Sequence, residues 1–83
     1  MRRTQKAKVV GVLHLTPNIY LITAVPWIGS RFRIWINLTK PAGEGKMLRL
    51  LRATGAGSIQ NLPGCVFPIV TVTDARGKDI NLY

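Results

Sequence analysis

The periodicity of the chain changes twice, and those changes constrain its fold more than any other feature. Up to residue 39 the apolar residues fall in runs with strand character: KAKVVGVLHL over 6–15, IYLITAV over 19–25 and RFRIWINLT over 31–39. The breaks between them are TPN, where Pro17 presets φ and Asn18 tolerates the left-handed region, and PWIGS, where Pro26 can donate no ladder hydrogen bond. Pro41, Gly43 and Gly45 then stop the third strand, and EGKMLRLLRATG over 44–55 takes up helical spacing. Met47, Leu48, Leu51 and Thr54 make an inward stripe, with Lys46, Arg49 and Arg52 on another side. Gly55 stands where a C-cap glycine belongs. After the flexible loop GAGSIQNLPG, strand character returns in CVFPIVTVTD over 65–74, an ARGK turn and DINLY over 79–83.

Three strands, a helix and two strands is the order of the five-stranded OB barrel, whose helix plugs one end between the third and fourth strands. The expected class is therefore all-β, with one short helix in an OB-like barrel. The first two strands are apolar on both faces, as suits curled strands shared between barrel walls or a contact between copies. Gly11 marks a bulge or a bend. Residues 1–5 read as a flexible basic arm and 6–83 as a single domain.

A chain of 83 residues that is 47% apolar makes one small domain with a thin core, so homo-oligomerisation or binding can share the stabilisation. Twelve Lys and Arg stand against three acids, a formal charge of +9. So lopsided a balance does not serve compactness and points to a polyanionic partner, nucleic acid first. One His, one Cys and three scattered acids leave no paired-carboxylate site, no metal-ligand spacing and no phosphate-loop glycine pattern. The expectation is a protein that is not an enzyme and takes no cofactor, metal or small-molecule substrate. The single Cys65 reads as a buried small apolar residue and argues for a reducing, cytoplasmic setting. Residues 9–28 approach the length of a membrane span, but His14, Thr16, Pro17, Asn18, Thr23 and Pro26 interrupt them as a hairpin would, which argues against a membrane protein.

The sharpest candidate for chemistry is the third strand. Alternation puts Arg31, Arg33, Trp35 and Asn37 on one face and Phe32, Ile34 and Ile36 on the other. Were Trp35 core, the arginines of its register would be buried too, at high cost. Exposed, the set offers cations to phosphates and a flat ring to an unpaired base. Lys6 and Lys8, in alternate register with His14, extend the basic surface along the first strand. Tyr20 can stack a base or pack. Trp27, in its Pro-Gly loop, is a wedge into the core or a clamp on a ligand, with the core favoured. Arg76 and Lys78 suit a last turn that wraps a backbone.

NLTKPAGEGKMLRLLRATG, followed by NLPG and a VTVTDARGKDIN hairpin, resembles the small phage-encoded single-stranded-DNA-binding proteins of OB type. The matching positions are Asn37, Leu38, Thr39, Ala53, Gly55, Leu62, Gly64, Gly77 and Asn81, all in the C-terminal half. The resemblance implies binding of single-stranded DNA in an infected host's cytoplasm. Members commonly carry an acidic C-terminal tail, and this sequence shows none. Residues and resemblance together lead us to expect a protein that binds single-stranded nucleic acid, DNA before RNA, with little sequence preference. The alternative is a structural assembly protein of a virion or ribonucleoprotein particle, whose strands pair between copies. A basic membrane-surface or inhibitory protein is a third reading.

Overall fold

The long first strand is shared by both walls of the molecule. In the computed structural model, which describes residues 2–83, the elements are β1 (Arg2–Thr16), β2 (Ile19–Pro26), β3 (Phe32–Asn37), α1 (Pro41–Thr54), a 3₁₀ turn (Ile59–Asn61), β4 (Val66–Thr73) and β5 (Asp79–Leu82). All neighbouring strands are antiparallel, in the order β3-β2-β1-β4-β5. The first half of β1 pairs with β4 from Arg2↔Val72 to Lys8↔Val66, while its later part pairs with β2 from Ala7↔Pro26 to Thr16↔Ile19. Curling of this strand brings the two edges, β3 and β5, across a cleft from each other. The result is a nearly closed, OB-like five-stranded barrel with its helix between the third and fourth strands, as the periodicity predicts.

Residues 2–5, expected as a flexible arm, are strand here and pair with β4; Met1 lies outside the described residues. Gln5 explains part of this. Its Nε2 donates to Thr71 Oγ1 at 2.7 Å and to the Ile28 carbonyl at 3.0 Å, and its Oε1 accepts from Ile28 N–H at 2.9 Å. Thr71, which is buried, in turn donates a hydrogen bond to Asn81 Oδ1 at 2.8 Å. One polar side chain thereby ties together β1, the β2–β3 loop and β4.

Register shifts at the point the glycine suggested. Val9 faces Ala24 and Gly11 faces Thr23, so Val10 is an extra residue and the strand changes parity there. Ala7 and Val9 point inward before the bulge; Val12 and His14 share the inward side after it. The expected alignment of His14 with Lys6 and Lys8 is thus corrected: the bulge turns His14 to the opposite face.

The core is Ala7, Val9, Ile22, Ala24, Ile34, Ile36, Phe67 and Ile69 from the strands, Met47 and Leu50 from α1, and Leu62 from the following loop. That loop is more structured than expected: Leu62 is fully buried, Gly64 N–H donates to Val9 O, and Val9 N–H donates to Cys65 O. Cys65 itself is half-buried.

Helix α1 starts three residues earlier than its hydrophobic pattern indicates, with Pro41 in its first turn, where a missing N–H costs nothing. Its inward face is Gly43, Met47 and Leu50; Leu48, assigned inward from spacing, is 53% exposed. Gly55 caps the helix at φ 74°. No helix of the described residues is long and apolar enough to cross a membrane.

Candidate nucleic-acid interface

Strand β3 carries the site because its two faces meet different surroundings. Ile34 and Ile36 are buried, and between them Trp35 stands 52% exposed beside exposed Arg33. Across the ladder Trp35 faces Leu21 and Arg33 faces Thr23; one strand further, Leu21 faces Leu13 and Thr23 faces Gly11. The outer wall therefore reads as an apolar row of Trp35, Leu21 and exposed Leu13, flanked by Arg33. Lys8, opposite Val25, and Lys6 continue the same outer face along β1, and both are exposed.

Trp27 is 62% exposed, so its expected burial in the core is corrected. Its backbone N–H donates to the Lys6 carbonyl at 3.1 Å, which sets the indole's residue beside the basic end of β1. The Gln5 bonds to Ile28 hold this loop in place. Arg31 is exposed just before β3 begins and lines the cleft formed by residues 29–32, 77–79 and 81. Lys78 lines the opposite wall, and Arg76 is exposed in the preceding turn. The turn is built by Asp74, whose Oδ1 accepts from the backbone N–H groups of Arg76 and Lys78, each at 2.9 Å, while Gly77 adopts φ 79°. Arg31, Arg33, Trp35, Lys6, Lys8, Trp27, Arg76 and Lys78 are thus all exposed, along the outer β1–β2–β3 wall and the adjoining cleft.

Two expected residues are placed differently. Tyr20 lies on the inward-parity side, opposite Ile36, and its ring stacks on His14 with centroids 4.3 Å apart and planes 6° from parallel. Tyr20 therefore faces away from Trp35. Asn37 is half-buried, and its Oδ1 accepts from the backbone N–H of Thr39 at 3.0 Å and from the Thr39 hydroxyl at 2.5 Å. Its carbonyl side serves the turn into α1.

Lys46, which its spacing sets on a side of α1 away from the inward stripe, meets the candidate surface. Its Nζ donates to the Trp35 carbonyl at 3.2 Å, and it lines a small depression with Trp35, Asn37 and Lys40. The early helix start at Pro41 was the available signal, since it brings this turn of α1 against β3.

Electrostatics on this surface are nearly one-signed. Among the described residues Arg3–Asp79, at 3.0 Å, is the single ion pair, so eleven of the twelve Lys and Arg have no carboxylate partner. Asp79 is held below its ordinary 3.8 by a hydrogen bond from Thr73 first and by Arg3 second. No group of three or more His, Cys, Asp or Glu among the described residues could hold a metal. The fold and this surface define a small basic β-barrel with an exposed aromatic on its third strand. Comparison with family models, curated proteins and solved structures returns no match.

Proposed function

We propose that the protein binds single-stranded nucleic acid along the outer face of β2 and β3, with little sequence preference and without catalysis. The observation that carries this reading is Trp35, half exposed on a strand whose same-face neighbour Arg33 has no carboxylate partner. A ring presented on a convex wall can stack only on a base that is not already paired, which favours single strands over duplex. Arg33, Lys6 and Lys8 supply the phosphate contacts, and the cleft between Arg31 and Lys78 receives the strand as it leaves the wall. Strands two and three with the β4–β5 loop are also where OB barrels take oligonucleotides. DNA rather than RNA, and a phage setting, rest on the sequence resemblance alone.

The test is titration of the protein with a short oligothymidylate, following tryptophan fluorescence. Stacking quenches the indole, and log affinity falls with log salt by about 0.7 per phosphate contact. Absence of quenching together with salt-insensitive binding refutes the reading.

A second reading, assembly through strand pairing, draws support from β5. It is a sheet edge carrying exposed Ile80 and Leu82. Sedimentation of the protein without nucleic acid separates the two: a concentration-independent monomer removes the assembly reading.

A further inference from the structure

Outside the wall just described, the phenol of Tyr83 is the one described side-chain hydroxyl that is buried without a hydrogen-bond partner. The residue lines a cavity of about 430 Å³ between α1 and the start of β4, together with Arg49, Arg52, Ala53, Phe67 and Pro68, with its hydroxyl buried behind the cavity wall. The Tyr83 ring is fixed there by an edge-on contact with Phe67, at 6.2 Å between centroids and 86° between planes. Neither arginine has a carboxylate partner. Burial pushes the phenol up to about 12, with the nearby Arg49 charge acting in the other direction, so the hydroxyl keeps its proton and remains a donor. The site therefore sets three donor groups, one phenol and two guanidiniums, around an apolar floor, with no Asp or Glu among its described lining residues. An orphaned donor beside two free guanidiniums is satisfied by an anionic oxygen.

The position of these groups connects them to Trp35. Lys46, Arg49 and Arg52 recur every three residues along α1, a spacing that winds slowly around the helix. At one end of this line Lys46 holds the Trp35 carbonyl; at the other Arg49 and Arg52 line the cavity. We propose that this cavity is a phosphate-binding subsite, in which Tyr83 Oη, Arg49 and Arg52 receive a phosphodiester of the same strand that stacks on Trp35. The strand crosses α1 along Lys46, and the apolar floor of Phe67, Pro68 and Ala53 accommodates a sugar or base. The proposal rests on the nucleic-acid reading and lengthens its footprint beyond the β2–β3 wall.

The experiment compares oligothymidylates at about the short and long ends of the site sizes known for such barrels, roughly 4 and 16 nucleotides. It uses the intact protein, Trp35→Ala, Arg49→Ala/Arg52→Ala and Tyr83→Phe. The double arginine variant should weaken the long oligonucleotide about tenfold and lower its salt slope by roughly 1.4, two contacts' worth, while leaving the short one unchanged. Tyr83→Phe should weaken the long oligonucleotide about threefold and yet raise Tm, because it deletes an unpaired buried donor. A merely structural tyrosine cannot give these opposite signs. Equal weakening at both lengths, or none at the long one, overturns the subsite while Trp35→Ala still reports on the wall. Protection of the subsite by thymidine monophosphate or inorganic phosphate, with no dependence on oligonucleotide length, makes it a free-anion site and also overturns the proposal. Failure of the unmodified protein to bind either length refutes both readings.

Discussion

Gly43 of α1 lies so close to Asn37 at the end of β3 that a Cβ on the glycine would overlap the asparagine's carbonyl carbon and oxygen. Helix and strand meet there backbone to backbone, and Asn37 O also accepts from Lys40 N–H at 3.3 Å. No rotamer change can relieve such an overlap. Gly43→Ala should therefore destabilise by about 3 kcal/mol, the upper range of overpacking costs. Gly45, two residues on, has nothing near its missing Cβ. Gly45→Ala should stabilise by about 0.5–1 kcal/mol through helix propensity. Urea midpoints for the pair check both signs, and equal effects would mean that the close approach is absent in solution.

The outward direction of Trp35 separates binding from stability. Trp35→Ala should weaken oligonucleotide binding by about 1–3 kcal/mol and change stability by only about 0.5 kcal/mol, as for other surface changes. Its neighbour Ile36 is fully buried. Ile36→Ala should cost about 2–5 kcal/mol in stability and leave the affinity of the folded fraction nearly untouched. Thermal melts and fluorescence titrations on the two variants give a crossed pattern. A Trp35→Ala protein that unfolds would place the indole in the core.

The direction of Trp35 was legible because alternation is strict over 32–37 and the arginines mark the wet side. The succession of elements along the chain, with the helix between the third and fourth strands, was legible from the changes of period, whereas the order β3-β2-β1-β4-β5 within the sheet came from the structure. Other features escaped because the signal lies in residues without a hydrophobic side chain. Gly43 is the helix's closest contact, yet a glycine adds nothing to an apolar stripe, so the inward face was displaced from Leu50 to Leu48. The extra residue at Val10 is invisible in a run of valines and leucines, so His14 was assigned to the wrong side. Arg2 to Gln5 look like a solvated arm until Gln5 is seen to bridge Ile28 and Thr71, partners 23 and 66 residues away. The contacts of Lys46 with the Trp35 carbonyl and of Tyr83 with Phe67 are tertiary, and no local pattern encodes them.

Gln5 predicts a local phenotype. Gln5→Ala removes three hydrogen bonds, leaving the Ile28 backbone to water and the buried Thr71 hydroxyl without its donor. The expected loss is about 1–3 kcal/mol, mostly at Thr71. Amide exchange at Ile28 should accelerate more than exchange in β3, because the loop is released before the barrel. Uniform acceleration would mean that Gln5 acts only through global stability.

Asp79 gives the pH dependence. Its carboxylate accepts from Thr73 Oγ1 at 2.7 Å and from Arg3 Nη2 at 3.0 Å, and these bonds hold it below 3.8. The folded state thus binds fewer protons there than the unfolded chain, so stability rises with pH across this window. The contribution is fully present above the unfolded value near 4 and is lost as pH falls through the lowered one. Asp79→Asn should therefore be less stable than the parent at pH 7, with the difference in urea midpoint shrinking toward pH 2. A difference that stays constant with pH would assign the effect to packing rather than charge. Asp79 also lines the cleft that holds Arg31 and Lys78, the one acid among its described lining residues. The same substitution should accordingly strengthen oligonucleotide binding while weakening the fold, because the strand gains a more positive exit from the barrel wall.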